Sequence, residues 1–202
     1  MTFSKRTLGR RACLTLAAFG LLAGQTWAQG TAAAPKVKFA TSAGDFVVEM
    51  YPDKAPKTVD NFLQYVKDKH YDGTVFHRVI DNFMVQGGGF DAAYAQKPTR
   101  APVVHEGREA LAKGGDKNVV GTLAMARTND PNSASAQFFI NVRNNDFLNP
   151  SAQAPGYTVF GKVISGMDVV NKIKATPTGA GGPFPSDVPK TPVLVNSATL
   201  VK

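Results

Sequence analysis

The chain is poor in the residues that most often carry covalent and metal chemistry. It has one cysteine, Cys13, and three histidines, His70, His77 and His105, no two of which lie at zinc-ligand spacing. It also lacks a Gly-x-Ser-x-Gly nucleophile motif, and its glycine run QGGGF matches neither a phosphate loop nor a Rossmann turn. We therefore expect no metal, no cofactor and no nucleophile of the triad type.

Residues 1–28 have the composition of an export signal. Four cations open the segment, an apolar run of about 13 residues follows at 12–24, and small residues end it at Ala28. Because about 20 apolar residues are needed to cross a bilayer, the run predicts a cleaved signal peptide and no membrane anchor afterwards. The pair Arg10 and Arg11 leaves a twin-arginine signal open. We expect cleavage after Ala28, a flexible lead at 29–35 and export to the periplasm, with secretion as the alternative.

Loss of residues 1–28 changes the composition of the remaining chain. Cys13 leaves with this segment, so the mature protein has no thiol for catalysis or for a disulfide. The net charge falls from +8 to +4, because the segment holds four cations and no acids. Nucleic-acid binding is therefore not expected, although a polyanion binder stays open as a third hypothesis. The remaining residues are numerous enough to bury a stable core.

Alternation of apolar and polar residues predicts about eight short strands, mostly joined by short turns. Strands arranged in hairpins favour an antiparallel sheet, and eight of them can close into a barrel. A closed barrel has no obvious edge for pairing, so we expect a monomer. The strands are predicted at 36–51 (a hairpin with Gly44 in the turn), 74–87 (two strands), 121–127, 136–142, 157–164 and 191–202.

Two amphipathic helices are predicted to cap this barrel. In the first, at 52–71, Pro56 suits the first turn and an apolar stripe follows at 59, 62, 63 and 66. In the second, at 165–175, Ser165 and Asp168 have capping-box spacing. The segments 88–118 and 176–185 are predicted loops. The expected fold is mainly β, a closed eight-stranded antiparallel barrel capped by two α-helices, over 36–202.

The stretch FHRVIDNFMVQGGG, at 76–89, combines strand composition with isolated polar residues. Strand parity predicts that Met84 and Gln86 share one face, and that Arg78 lies on the face of Phe76 and Ile80. Aromatic residues in strands usually belong to a core, so these residues alone leave open a β-barrel binding module. The alternative is a binding pocket with apolar walls at Phe83, Met84, Phe138, Phe139 and Leu148.

Four segments resemble, in order, the motifs of the cyclophilin family of peptidyl-prolyl cis-trans isomerases. They are FHRVIDNFMVQGG (76–88), GTLAMAR (121–127), SAQFFI (135–140) and VFGKV (159–163). The resemblance covers about residues 36 to 201 and is closest to the bacterial exported members. It implies the family's eight-stranded barrel with two capping helices, and an isomerase that acts on X-Pro bonds of peptides and unfolded exported proteins.

The resemblance also implies roles for individual residues. Arg78 matches the catalytic arginine, and Gln86 matches a groove residue that binds the substrate backbone and steadies that arginine. The other positions match walls of the proline pocket or of the peptide groove: His77, Phe83, Met84, Ala126, Arg127, Thr128, Gln137, Phe139 and Leu148.

Three positions depart from the pattern of many family members. Phe147 stands where many eukaryotic members have a tryptophan that donates a hydrogen bond to cyclosporin, so weak cyclosporin binding is expected. Tyr157 replaces a pocket histidine, and Arg127 replaces an asparagine whose contacts are mainly through its backbone. These changes put the peptide preference in doubt. A rival hypothesis is a binding module or holdase that uses the same groove without turnover.

Overall fold

The computed structural model describes residues 1–2 and 33–201. Contacts divide the chain into a unit at 1–32 and a unit at 33–202, and the second carries the elements given below. The predicted signal peptide and most of the predicted lead lie outside the described residues. Within the described residues, no helix is both long and apolar enough to cross a membrane.

Eight strands of residues 33–201 form one antiparallel sheet, and two more form a separate hairpin. The strands are β1 Lys36–Thr41, β2 Gly44–Met50, β3 Arg78–Ile80, β4 Met84–Gly87, β5 Thr122–Met125, β6 Phe138–Asn141, β7 Val159–Ser165, β8 Thr178–Gly181, β9 Phe184–Pro189 and β10 Val195–Val201. The sheet order is β10-β1-β2-β7-β5-β6-β4-β3. The predicted eight strands are therefore confirmed, whereas β8 and β9 replace the loop predicted at 176–185.

The sheet curls until its two edges meet. Backbone hydrogen bonds join the segment before β3 to the start of β10: Gly73 donates to Val195 at 2.8 Å, Val195 donates to Thr74 at 2.8 Å, and Phe76 donates to Val193 at 3.1 Å. The expected mainly β, antiparallel barrel is confirmed. These few backbone hydrogen bonds join its two edges, and they do not form a full strand ladder. The β1–β2 turn consists of residues 42–43, so Gly44 begins β2 and does not lie in the turn.

Within residues 33–201, three α-helices accompany the sheet: α1 Pro56–Lys67, α2 Gly107–Ala112 and α3 Met167–Lys174. The first and third confirm the two predicted helices. The second lies inside the predicted loop at 88–118, and its six residues are too few to show a helical period.

The capping box predicted for the second helix is wrong. Gly166 is the N-cap residue of α3, with φ of 81°, and no side chain caps this end of the helix. Ser165 instead belongs to β7, where it pairs with Val47. Ser165, which the capping pattern placed at the start of the helix, is therefore paired in the sheet instead.

Aromatic rings fill the inside of the barrel. Phe62 of α1 contacts Phe138 at 5.7 Å between ring centroids and Phe160 at 5.1 Å, and Phe39 stacks on Phe46 at 4.9 Å. All five rings are fully buried. Burial of a side chain of this size contributes about 1.5–3 kcal/mol, so these rings are a principal source of stability.

The N-terminus of α1 is capped by a distant carboxylate. Its own N-cap residue, Ala55, has no side chain that could accept a hydrogen bond. Glu106, which is buried, accepts instead from the backbone N–H groups of Lys57 at 3.2 Å and Thr58 at 2.7 Å, and from the Thr58 hydroxyl. An anion at this end also complements the helix dipole. The segment at 88–118 therefore holds a helix of the barrel in place.

Replacement of Glu106 by alanine is expected to lower the free energy of unfolding by about 2–3 kcal/mol, because buried donors lose a charged acceptor. Glu109, exposed on α2, is the matched control, and its alanine variant is expected to change stability by less than about 0.5 kcal/mol. Urea unfolding measures both. Equal effects of the two substitutions would contradict the capping role of Glu106.

Candidate active site

The register of the sheet sets four side chains in one row across its outer face. Arg78 of β3 lies opposite Gln86 of β4, which lies opposite Phe139 of β6, which lies opposite Ala124 of β5. Directly opposed residues have Cβ atoms about 4.5–5.5 Å apart, so each side chain lies beside the next one in the row. An arginine, a glutamine and an aromatic wall are thus brought together from three strands.

The parity predicted for Arg78 is wrong in one respect. Ile80 pairs with Met84, so Arg78, Ile80, Met84 and Gln86 all share the outer face. Phe76 lies in the barrel interior instead, because it precedes β3 and is not part of the regular strand.

The outer face carries a second apolar cluster, separate from the barrel interior. Met84, Phe139 and Leu148 are buried in it, and Phe83 and Tyr157 pack against it while partly exposed. Phe138, the neighbour of Phe139 on β6, faces the barrel interior and is not a pocket wall. Apolar residues on both faces explain why β6 lacks clean alternation.

A cavity of about 380 Å³ opens over this cluster. Of the residues to which the family resemblance gave a role, only Thr128 and Phe147 do not line it. Its lining consists of His77, Arg78, Phe83, Met84, Gln86, Phe90, Ala126, Arg127, Gln137, Phe139, Leu148, Tyr157 and Phe184.

The two exceptions lie beside the cavity. Thr128 lines an adjoining cavity of about 250 Å³, which shares Gln86, Ala126, Arg127 and Gln137 with the first. Phe147 is 72% exposed, and its ring stacks on Phe83 with centroids 5.7 Å apart. Phe147 therefore extends the apolar wall at the rim rather than the floor.

Two glutamines form the polar wall between the cavities. Gln86 donates from Nε2 to Oε1 of Gln137 at 3.0 Å. The glycine run after Gln86 makes room for this pair: a Cβ at Gly89 would lie 2.6 Å from the Gln137 side chain, and Gly88 has φ of 84°. Gly88 thus serves the backbone turn and Gly89 the approach of Gln137.

Arg127 is held at the rim by the protein itself. Its Nε and Nη2 donate to the Gly156 carbonyl at 3.1 and 2.9 Å, and its Nη1 donates to the Thr128 carbonyl at 2.7 Å. The guanidinium also lies 4.6 Å from the centroid of the Tyr157 ring. Tyr157 in turn meets Phe139 edge-on at 5.5 Å. Arg127 and Tyr157, two of the three positions at which the resemblance implied a departure, therefore pack on each other.

Buried asparagines fix the segments that carry Phe83 and Leu148. Asn145 donates to the Phe83 carbonyl at 2.9 Å and to Oδ1 of Asn141 at 2.7 Å. Asn118 donates to the Leu148 carbonyl at 3.2 Å. The sequence analysis missed these amides, because only the folded chain brings positions 118, 141 and 145 together.

Comparison with known proteins identifies the family of this chain. The family model "Cyclophilin type peptidyl-prolyl cis-trans isomerase/CLD" matches residues 36–200. Peptidyl-prolyl cis-trans isomerase B of Escherichia coli (strain K12) is 52% identical over 167 residues, which cover 81% of this chain and 98% of that protein. The chain belongs to the cyclophilin-type peptidyl-prolyl cis-trans isomerases.

Two further comparisons support the assignment. Peptidyl-prolyl cis-trans isomerase A of Dickeya dadantii (strain 3937) is 46% identical, over 82% of this chain and 84% of that protein. The crystal structure of a Cryptosporidium parvum cyclophilin has the same fold, with a TM-score of 0.67 at 24% identity. The matched region covers 84% of this chain and 98% of the Cryptosporidium chain. The predicted enzyme class is confirmed: this cyclophilin catalyses the cis-trans isomerisation of X-Pro peptide bonds.

One end of the cyclophilin groove is formed by residues that the sequence analysis did not assign to it. Phe184 of the β8–β9 hairpin stacks on His77 at 5.4 Å and meets Phe90 edge-on at 5.0 Å. Burial lowers the pKa of His77 to about 4, and the nearby charge of Arg78 acts in the same direction. His77 is therefore neutral at ordinary pH. It packs in the groove as an aromatic ring and contributes no positive charge there.

Proposed function

We propose that Arg78 accelerates the isomerisation by stabilising the twisted amide, while the apolar cavity holds the proline ring between Phe83, Met84, Phe139 and Leu148. The observation that carries the proposal is the cross-strand row. It sets the guanidinium of Arg78 at the edge of an apolar cavity, two strands from Phe139. Gln86 stands between them, where it can bind the substrate backbone.

The physics of the reaction requires no acid, base or nucleophile. Rotation about an X-Pro bond crosses a barrier of roughly 18–20 kcal/mol, because twisting breaks the amide conjugation. The nitrogen lone pair becomes localised in the twisted state and accepts a hydrogen bond that the planar amide does not. A donor aimed at this nitrogen therefore binds the transition state more tightly than the ground state, which is the requirement for catalysis. An apolar surrounding strengthens the interaction further.

The remainder of the groove supports a role in holding the peptide chain. Ala126, Arg127 and Thr128 follow β5 and run from the main cavity to the adjoining one. Gln86 and Gln137 form the wall that the two cavities share. We infer that the peptide on one side of the proline lies along this segment, and that proline-containing segments of unfolded proteins are the substrates.

Refolding of a proline-limited protein tests this function against the holdase hypothesis. A substoichiometric amount of this cyclophilin is expected to accelerate the slow refolding phase, which takes on the order of 10–100 s uncatalysed. A holdase would suppress aggregation in proportion to its amount and leave that phase unchanged. Ala-Pro peptides are suitable small probes, since the Cryptosporidium parvum protein was also crystallised in the presence of that dipeptide.

We further propose that the substrates are exported proteins and that residues 1–28 direct this cyclophilin out of the cytoplasm. The support is the sequence pattern of that segment, with its basic start and its apolar run at 12–24. Expression in a Gram-negative host, followed by fractionation and N-terminal sequencing, tests the proposal. We expect a periplasmic product that begins at Gln29. A full-length cytoplasmic product would contradict it.

Cyclosporin is expected to bind weakly, because the Phe147 ring has no donor for it. The ring is exposed at the groove rim, so a larger indole fits there without repacking. Replacement of Phe147 by tryptophan is expected to tighten cyclosporin binding about three- to tenfold, the value of one neutral hydrogen bond. Calorimetry measures the change, with Phe147→Met, another large apolar side chain without a donor, as the control. An unchanged affinity would contradict the role of the missing donor.

A further inference from the structure

The β8–β9 hairpin contacts two consecutive groove residues at once. Its Phe184 stacks on the ring of His77, and its Asp187 pairs with Arg78, with Oδ2 of the carboxylate 3.7 Å from Nε of the guanidinium. Nothing in the family motifs of this sequence covers the hairpin. It nonetheless places Phe184 in the lining of the cavity and Asp187 beside the proposed catalytic charge.

The hairpin is fixed to the rest of the protein, so its contact with Arg78 has a defined geometry. Val188, next to Asp187, is buried at 2% exposure, and Phe184 packs into a cluster with Phe90 and Tyr94. At the base of the hairpin, the Lys190 backbone N–H donates a hydrogen bond to the Pro177 carbonyl at 2.8 Å. A carboxylate on such an element can orient its partner.

Asp187 itself has an unusual backbone. Its φ is 66°, in the left-handed region that few residues other than glycine adopt. Aspartate and asparagine tolerate this conformation better than most side chains. Strained backbone positions cluster at functional sites, where the surrounding structure holds them in place. Because of this positive φ, Asp187 departs from the regular strand geometry of β9.

We propose that Asp187 is a positioning residue for Arg78. The pairing occupies the Nε edge of the guanidinium, which leaves the terminal nitrogens free to turn toward the cavity. Within residues 33–201 the Arg78 guanidinium has no hydrogen bond, and Asp187 is its one ion-pair partner. The carboxylate thus restricts an otherwise half-exposed side chain. This inference rests on the proposed role of Arg78 in the reaction.

Replacement of Asp187 by asparagine tests the inference, because it removes the charge and keeps a residue that tolerates the left-handed backbone. We expect kcat for an Ala-Pro peptide to fall about two- to fivefold, the upper part of the range for an exposed ion pair, with KM unchanged. Asp45→Asn is the matched control, since it breaks the exposed pair with Lys38 and changes the net charge equally. It is expected to leave kcat unchanged.

Two further measurements separate positioning from a general effect on the fold. In the Arg78→Ala background, Asp187→Asn is expected to cause no further loss. The NMR resonance of the Arg78 Nε–H group is expected to shift with Asp187→Asn and to stay in place with Asp45→Asn. A wild-type kcat in Asp187→Asn, or an equal loss with and without Arg78, would overturn the inference.

Failure of the inference is distinguishable from failure of the proposed function. If Arg78→Ala loses activity while Asp187→Asn behaves like Asp45→Asn, the positioning role is wrong and the catalytic role stands. If Arg78→Ala is fully active although Asp187 is intact, the proposed role of Arg78 is wrong and the positioning role falls with it.

Discussion

Replacement of Arg78 by alanine is expected to lower kcat/KM for an Ala-Pro peptide by about a hundredfold. One hydrogen bond from a charged donor contributes about 1.5–3 kcal/mol, and each 1.4 kcal/mol changes a rate about tenfold. The loss is expected in kcat rather than KM, because the guanidinium acts on the twisted amide and not on the planar one. Arg78 is nearly half exposed, so the substitution leaves the fold unchanged. NMR exchange spectroscopy on the peptide, which needs no coupling protease, measures kcat and KM.

The control for this loss is an arginine of similar exposure away from the groove. Arg100 pairs with Asp68, and its side chain is 52% exposed. Arg100→Ala is expected to retain wild-type kcat/KM. Arg78→Lys keeps the charge and loses the planar fork of donors, so an intermediate rate is expected. Full activity of Arg78→Ala would contradict the proposed mechanism.

Replacement of Phe139 by alanine is expected to have the second largest effect, a fall in kcat/KM of roughly tenfold to hundredfold. The ring forms the wall opposite Gln86 and contacts Tyr157, so its loss removes the apolar surface that encloses a proline ring. Burial of such surface contributes about 1.5–3 kcal/mol. The loss is expected mainly in KM, since the pocket holds proline in the ground state as well.

Phe138, on the opposite face of the same strand, is the control for stability. Both rings are buried, so each alanine variant is expected to lose about 3–5 kcal/mol of unfolding free energy. Activity is compared per folded molecule, with near-ultraviolet circular dichroism as the measure of folding. Phe138→Ala is then expected to retain its kcat/KM. Equal losses of kcat/KM in the two variants would show that Phe139 acts through the fold alone.

The sequence predicted those parts of the protein in which short-range periodicity agrees with the fold. The apolar stripe at Val59, Phe62 and Val66 predicts α1, and these residues are buried against the barrel. Alternation and turn residues predict all eight strands of the sheet. The family resemblance assigned roles to Arg78, Gln86 and Phe139 one by one, whereas their common row was not expected and comes from the strand register.

The missed parts depend on contacts between distant positions. The segment at 176–185 is rich in glycine and proline, residues that favour turns, yet it pairs into the β8–β9 hairpin because Phe184 packs on His77. Glu106 caps a helix about fifty residues before it. No periodic pattern encodes such pairs. The roles of the site residues stay predictions, whereas their positions around one cavity are now described.

The most direct test of the central claim measures binding and on-enzyme exchange separately. Line-shape analysis of an Ala-Pro peptide titrated with wild type and with Arg78→Ala gives the Kd of each complex and the exchange rate between the bound cis and trans forms. The mechanism predicts a Kd that changes by less than about twofold and an exchange rate that falls about a hundredfold. A Kd that rises a hundredfold with an unchanged exchange rate on the enzyme would contradict it, because Arg78 would then bind the substrate without stabilising the twisted amide.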